Sequence, residues 1–388
     1  MLTKIPIISK EIETYITDLF GENIAKKYFD NISTPMEEYT LHVYKDEEII
    51  DEILQTLKRN KFQASIHKEY SNLIICSPNG PFKLDSQPNL KKIIVDTKAS
   101  EMIYQGADVY VPGVKRANKV KQGDIVQVVN QQNIHVANAE AQMSHKEMLE
   151  NRKGLAAKNL QSPYVVPSIE QLNLDNLPIY FQSFPAYLTC LNLEPKTDER
   201  ILDCCAAPGN KTIHLSEIAG DKARIVAVDR SKNRLKKLSA KIDKFGIKNI
   251  EIISGDIIEL SKKWNIKFDR ILLDPPCTAL GLRPRLSITT TTETIKSMSR
   301  YQKAIFHACN ELIKPQGEVI YSTCTISREE NEDVIEYATE KLNFETIEQK
   351  YRHSDYASIV EDSKYTVQRF IPGIHKTLGY FIAKMRKI

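Results

Sequence analysis

Two cysteines close apolar runs that stand far apart in the chain. Cys277 ends Asp274-Pro275-Pro276-Cys277, and Cys324 sits in Tyr321-Ser322-Thr323-Cys324-Thr325. A thiolate is a strong nucleophile toward carbon, and substitution on an electron-poor pyrimidine needs one. Carbon five of cytosine does not accept a methyl group unaided. Adding a thiolate to carbon six turns the ring into an enamine whose carbon five can attack an electrophilic methyl. Such a site also needs an acid to hold the charge developing at N3 and the amino group. A second group must remove the carbon-five proton and let the enzyme leave. Asp274 and Cys277 have the side chains and the location for those duties, and Lys211 is suited to orient Asp274 or the base. Each has a plainer reading. A buried cysteine is ordinarily a small hydrophobe, which is the reading for Cys76, Cys190 and Cys309, and a lysine is ordinarily solvated.

Three further segments suit a nucleoside cofactor. Asp203-Cys204-Cys205-Ala206-Ala207-Pro208-Gly209-Asn210-Lys211-Thr212 leads from a strand into a helix through small residues that let backbone approach a ligand. A phosphate loop is excluded, because its spacing needs glycine at Asn210 and at Cys205. An ordinary tight turn is the other reading. Asp229, at the end of the next strand, can accept hydrogen bonds from two ribose hydroxyls or simply cap the helix after it. Asp256 can read an adenine amino group or cap a turn. Three such ends in register on one sheet edge point to an adenosyl ligand.

These residues need a framework of parallel strands. Apolar runs at Arg200–Cys204, Ala223–Val228, Asn249–Ile253, Asp269–Leu273 and Gly317–Tyr321 alternate with helical stretches such as Arg230–Phe245 and Ser299–Ile313. That pattern, taken to begin at Ile179, predicts an α/β fold with a parallel sheet covered on both faces, its ligands beyond the carboxyl ends of the strands. Before it, Tyr39–Val43 and Leu73–Cys76 read as strands and Glu47–Arg59 as a helix, making a small α/β module. Lys92–Val95, Val109–Val111 and Ile125–Val129, with helical turns at Ser100–Gln105, predict a compact, mostly β domain ending near Gln161. Ser162–Leu177 reads as a connector.

The 388 residues are 41% hydrophobic and 27% charged, with 54 basic against 50 acidic residues and a net charge of +4, so nucleic-acid binding would need a local basic face. The seven cysteines include no C-x-x-C pair, which argues against zinc ribbons and a disulfide framework and for a reducing compartment. Ile12–Phe20 reads as an amphipathic helix rather than a signal peptide, and no run is long enough to cross a bilayer. A cytoplasmic protein with no metal and no membrane association is expected.

Taken together, Asp-x-Cys-Ala-Ala-Pro-Gly-x-Lys-Thr, Asp-x-Pro-Cys and Tyr-Ser-Thr-Cys-Thr followed by Glu329-Glu330-Asn331-Glu332 resemble the Sun-type RNA cytosine-5 methyltransferases. Arg369-Phe370-Ile371-Pro372 and Gly379-Tyr380-Phe381-Ile382-Ala383-Lys384 resemble that family's closing hairpin. The resemblance runs from about Ile179 to the C-terminus. It implies a Rossmann-like class I methyltransferase domain using S-adenosylmethionine, Cys324 as the nucleophile and Cys277 as the thiol that releases product. It also implies cofactor contacts at Cys205, Ala206, Ala207, Pro208, Gly209, Asn210 and Lys211, at Asp229, Asp256 and Asp274, and at Arg234, a basic position near the cofactor.

Gly106-Ala107-Asp108-Val109-Tyr110-Val111-Pro112-Gly113-Val114, followed by Lys121-Gln122-Gly123-Asp124, resembles a PUA domain, with a generic small barrel as the plainer reading. The expected division is therefore 1–90 (α/β module), 91–161 (inserted PUA domain) and 162–388 (methyltransferase domain). This order resembles the branch that methylates cytosine 72 of tRNA beside the CCA end. Tyr110, Lys115, Arg116, Lys119 and Lys121 are candidate RNA contacts, and a monomer acting on the tRNA acceptor stem is expected. The chain departs from the family at Asn210, where a second glycine is usual; asparagine tolerates left-handed backbone, so the turn should survive. It departs also at Pro275, where alanine is usual, and at Thr278-Ala279, where Ser-Gly is usual, which could alter the loop over the base. Rival readings are an exocyclic-amine or DNA cytosine methyltransferase, a ribosomal RNA cytosine-5 methyltransferase, and a non-catalytic RNA-binding assembly factor. The first has no use for Cys324, and the DNA enzymes place their nucleophile at the Pro-Cys thiol.

Overall fold

The computed structural model describes residues 6–85, 89–151, 153–353 and 366–388. An eight-stranded sheet carries the C-terminal half, in the order Ile250–Ser254, Arg224–Asp229, Arg200–Asp203, Phe268–Leu273, Ile313–Thr323, Tyr380–Lys387 and Phe344–Thr346, with Val367–Phe370 also paired to Tyr380–Lys387. The first five are parallel; the rest add antiparallel strands at one side. The expected closing hairpin is the pair Val367–Phe370 and Tyr380–Lys387. Neighbouring residues explain burial on both faces. Leu202, Ile271 and Tyr321 pack with Phe306 and Phe381 on one side, while Ile201, Leu272 and Ile320 pack with Leu188 and Ile382 on the other. Helix Lys232–Phe245 buries Leu235 and Leu238, starts at a Ser231 cap and stops at Gly246, whose φ of 64° favours glycine.

The N-terminal sheet runs Ile179–Phe181, Tyr39–Val43, Leu73–Cys76 and Ala64–Ile66, all antiparallel. The alternating pattern is expected to begin at Ile179, but Ile179–Phe181 pairs with Tyr39–Val43 in this sheet, and the parallel sheet starts at Arg200–Asp203. The Ile179–Phe181 run is three residues long and leads at once into helix Phe184–Leu193. Ile179 completes the small core of Leu41, Val43 and Ile74. The six-stranded sheet runs Val109–Tyr110, Leu155–Gln161, His135–Ala141, Ile125–Asn130, Lys91–Val95 and Val114–Ala117. The N-terminal amphipathic segment extends over Lys10–Asn31, broken at Gly21 (φ 75°), and packs Ile12, Ile16 and Tyr28 against Leu280, Ile288 and Ile326. Among the described residues no helix is long and apolar enough to cross a membrane.

The segment after Cys277 ties these bodies together. Gly281 donates its N–H to the Cys324 carbonyl at 3.0 Å and accepts from Gly379 N–H at 2.7 Å. A side chain at Gly281 would meet the Gly379 carbonyl at 2.2 Å, so only glycine fits. Further along, Leu286 is buried in the core of the six-stranded domain, and Glu101 of that domain accepts from Leu286 N–H and from the Arg285 guanidinium, each at 3.2 Å.

Candidate active site

Parallel pairing aligns the strand ends: Asp203 sits opposite Leu272, Asp229 opposite Ser254, and Leu273 opposite Tyr321. The residues that follow each strand therefore meet on one edge. They surround a cleft of about 520 Å³ whose walls include Cys205, Ala207, Pro208, Asp229, Arg234, Asp256, Asp274, Cys277 and Cys324. A second cavity of about 250 Å³ is lined by Phe181, the whole Cys205–Lys211 segment, Asp274, Leu378 and Tyr380, and again by Cys324. The Cys324 sulfur thus stands where an adenosyl-sized cleft and a smaller one join.

The two sulfurs, Cys277 Sγ and Cys324 Sγ, are 3.4 Å apart. A hydrogen bond from the Cys277 thiol holds the Cys324 thiol below its ordinary pKa, against burial and the Asp274 charge and with help from Lys211. The same pairing, with burial, pushes Cys277 up. Of the pair, Cys324 is the thiol that gives up its proton more readily. Asp274 accepts from Lys211 Nζ at 2.6 Å, from Ser322 Oγ at 2.9 Å and from the Tyr380 hydroxyl at 3.4 Å. Burial opposes the charge on Lys211, but Asp274 outweighs it and raises the lysine well above its usual range. Asp203 is buried behind this group. Its carboxyl is pushed up to about 7 by burial, only partly offset by the Thr212 hydroxyl at 2.7 Å.

On the cofactor side, Asp229 accepts from Ala207 N–H at 3.1 Å and Ser231 N–H at 2.8 Å. The cap of the following helix is Ser231, so Asp229 holds the loop instead of capping the helix. Asp256 does cap a helix, Ile257–Ser261, and also faces the cleft. Arg234 donates to the Ala207 carbonyl and lies 3.8 Å from Asp229. The left-handed conformation falls on Gly209 (φ 103°), where a Cβ would also strike Leu238 at 2.4 Å. Asn210 is the first helical residue, so the turn survives because of Gly209 and not because asparagine tolerates left-handed backbone. The Asn210 side chain instead donates to the Phe181 carbonyl at 2.7 Å and accepts from Lys241. The donor set suits S-adenosylmethionine. Carboxylates Asp229 and Asp256 keep lone pairs free for ribose and adenine donors, and Ile257, Pro276, Met298 and Ile305 supply apolar walls for a purine.

A sequence profile described as 16S rRNA methyltransferase RsmB/F matches residues 190–386. A tRNA (cytosine(72)-C(5))-methyltransferase of Pyrococcus horikoshii is 36% identical over 383 residues, covering 98% of this chain and 97% of that protein. The chain belongs to the RsmB/F methyltransferase family. It is an S-adenosylmethionine-dependent RNA cytosine-C5 methyltransferase. A PUA profile matches residues 91–162 of this RsmB/F enzyme. The tRNA (cytosine(72)-C(5))-methyltransferase NSUN6 of Homo sapiens is 27% identical over 379 residues, covering 86% of this chain and 79% of that one. The crystal structure of NSun6 from Pyrococcus horikoshii with SFG, an S-adenosylmethionine analogue, has a TM-score of 0.88 at 35% identity, covering 99% of each chain.

The RsmB/F enzyme has site residues that reading the sequence did not single out. Met298, Tyr301 and Ile305 face the cleft from one side of helix Thr292–Leu312, at spacings of three and four that a search for helical faces would have found. Arg230 bridges Tyr301 (2.9 Å to its hydroxyl) and Asp256 (3.5 Å). Glu330 is fully buried and accepts from Thr278 N–H (2.8 Å), Gln302 Nε2 (3.0 Å), Ser327 Oγ (2.6 Å) and Thr325 Oγ1 (3.3 Å), and also from Thr278 Oγ1. Thr278 follows Cys277 and Thr325 follows Cys324, so one carboxylate fixes both thiol loops. Ala279 carries φ 55°, a left-handed conformation that the usual glycine would adopt without strain. Tyr110, Lys115, Arg116, Lys119 and Lys121 are exposed on the six-stranded domain and do not line either cavity.

Proposed function

We propose that this enzyme methylates the cytosine at position 72 of tRNA, beside the CCA end, with Cys324 as the attacking thiol. The juxtaposition of the two sulfurs, with Cys324 at the junction of the two cavities, carries the reading of the chemistry. Cys324 adds to carbon six of a cytosine lodged in the smaller cavity, while Asp274, steadied by Lys211, faces the N3 and amino edge. S-adenosylmethionine, held by Cys205–Lys211, Asp229, Arg234, Asp256 and Asp274, supplies the electrophilic methyl. Carbon five takes that methyl with the electron pair released by thiol addition. Cys277, once its own proton has passed to solvent, takes the carbon-five proton; the C–H pair returns to the ring and the bond to Cys324 breaks, restoring the thiolate.

The tRNA assignment rests on the relatives named for cytosine 72 and on the PUA match. In this reading residues 1–90 form a supporting module, 91–161 dock the acceptor end through Tyr110, Lys115, Arg116, Lys119 and Lys121, and 162–388 catalyse, in a cytoplasmic monomer. The target base must leave its stack to reach the sulfur, and this is cheapest at a terminal pair. Bisulfite sequencing of tRNA and ribosomal RNA after treatment with the purified enzyme tests it. A new 5-methylcytosine at tRNA position 72 is expected; modification confined to ribosomal RNA overturns the substrate assignment.

A further inference from the structure

Where the N-terminal sheet meets the helix leading out of the cofactor loop, three metal-ligating side chains converge outside the chemistry described above. His42 lies on strand Tyr39–Val43, and His214 and Glu217 lie one turn apart on helix Asn210–Ala219; their donor atoms all fall within 4.8 Å of one another. None lines the catalytic cleft.

Their hydrogen bonding is incomplete. His214 is 1% exposed and its Nδ1 has no hydrogen-bond partner. His42 Nε2 and Glu217 Oε2 are 2.9 Å apart, yet that oxygen also lacks a hydrogen-bond partner, so the two approach without the alignment of a hydrogen bond. The far side of the His42 ring is fixed. Gln182 Nε2 donates to the Ala186 carbonyl at 3.3 Å, which turns its Oε1 toward His42 Nδ1 at 3.1 Å, with the Tyr180 hydroxyl 2.8 Å from the same nitrogen. With its proton given to Gln182, His42 presents the Nε2 lone pair to the cluster, the tautomer of a metal-bound histidine held by an outer partner. A lone pair facing a carboxylate oxygen at that distance is repulsive unless a cation lies between them. A fourth donor is at hand. As it stands the Asn72 side-chain nitrogen donates to His42 Nε2 at 3.1 Å, and its oxygen accepts from the Tyr187 hydroxyl at 2.9 Å. A phenol can also accept, so the amide can turn over and present its oxygen.

We propose that His42, His214 and Glu217 bind a divalent transition-metal ion, zinc by its preference for two imidazoles and a carboxylate, with Asn72 or water in the fourth place. Bonds of about 2.0–2.2 Å to zinc need only small rotations to draw the three donors in. The ion ties the N-terminal sheet to the helix that begins at the cofactor loop, so its role is structural.

The test uses the full chain, purified without a histidine tag. Elemental mass spectrometry is expected to find one equivalent of zinc. Chelator should lower the melting temperature, and zinc chloride should restore it. Cobalt(II) chloride should give visible bands of a nitrogen- and oxygen-ligated site. Because the active-site thiols also bind soft metals, a Cys277→Ala/Cys324→Ala chain must retain the equivalent, whereas Glu217→Gln, which keeps the volume, must lose it. If Glu217→Gln does not fold, the Cys277→Ala/Cys324→Ala chain and the unmodified chain decide the matter alone. Absence of stoichiometric zinc or cobalt binding, with melting indifferent to both metal and chelator, overturns the proposal and leaves a buried proton shared by His42 and Glu217. So does loss of the metal from the Cys277→Ala/Cys324→Ala chain.

Discussion

At the scale of single residues, the division of labour proposed for Cys277 and Cys324 requires Cys277 to be the donor between the two sulfurs. Removing the donor should raise the pKa of the Cys324 thiol. Cys277→Ala is therefore expected to accumulate a protein–RNA adduct on Cys324, formed half-maximally at a higher pH than the transient adduct of the unmodified enzyme, whereas Cys324→Ala forms none. Denaturing gels across a pH series check both, and an adduct only in the Cys324 variant would exchange the two roles. Asp203 makes a separate pH prediction. With its carboxyl raised from the ordinary 3.8 to about 7, the folded chain holds a proton that the unfolded chain has lost. Stability should fall as pH rises between those values and stay low above them. Asp203→Asn should flatten that slope in thermal melts between pH 5 and 8; an unchanged slope would mean other groups set it. Ala279→Gly should stabilise by up to about 1 kcal/mol in denaturant titrations, because it relieves a left-handed alanine. The strand-end residues Asp229, Asp256, Asp274, Cys277 and Cys324 were legible in the sequence because each closes an apolar run. Glu330 was not, because nothing local distinguishes a buried glutamate from its solvated neighbours.

At the scale of elements, two loops from different strands hold the sulfurs within hydrogen-bond distance, and the Glu330 carboxylate binds both loops. Glu330→Ala leaves several buried donors unpaired and should cost about 3 kcal/mol or more, with a loss of methylation larger than any loss of cofactor affinity. Calorimetry with S-adenosylhomocysteine beside a methylation assay separates the two, and equal losses would reduce Glu330 to a general stabiliser. The parallel strands were readable because burial on both faces makes them nearly continuous apolar text. His135–Ala141 and Leu155–Gln161 were not readable as strands: alanine and asparagine, which recur in both, are poor strand formers, and tertiary packing overrides that preference. Ile179–Phe181 was not singled out as a strand and fell inside the region assigned to the parallel sheet, since three residues carry no record of their partner.

At the scale of the molecule, the six-stranded domain is anchored to the catalytic loop by Glu101, Arg285 and Leu286. Arg285→Ala should raise KM for tRNA while leaving the affinity for S-adenosylmethionine unchanged; a fall in kcat alone would argue that the arginine serves the chemistry. The order of the parts was legible from short motifs, but this anchorage was not, because it joins residues distant in the chain. It has a metric consequence. One end of the segment from Cys277 to Leu286 is fixed beside the reactive sulfur and the other is sunk in the domain proposed to grip the CCA end, so that short stretch acts as a ruler. Lengthening it by a residue or two would move the gauge, and the nucleotide delivered to the sulfur would change before the rate of any bond-making step did.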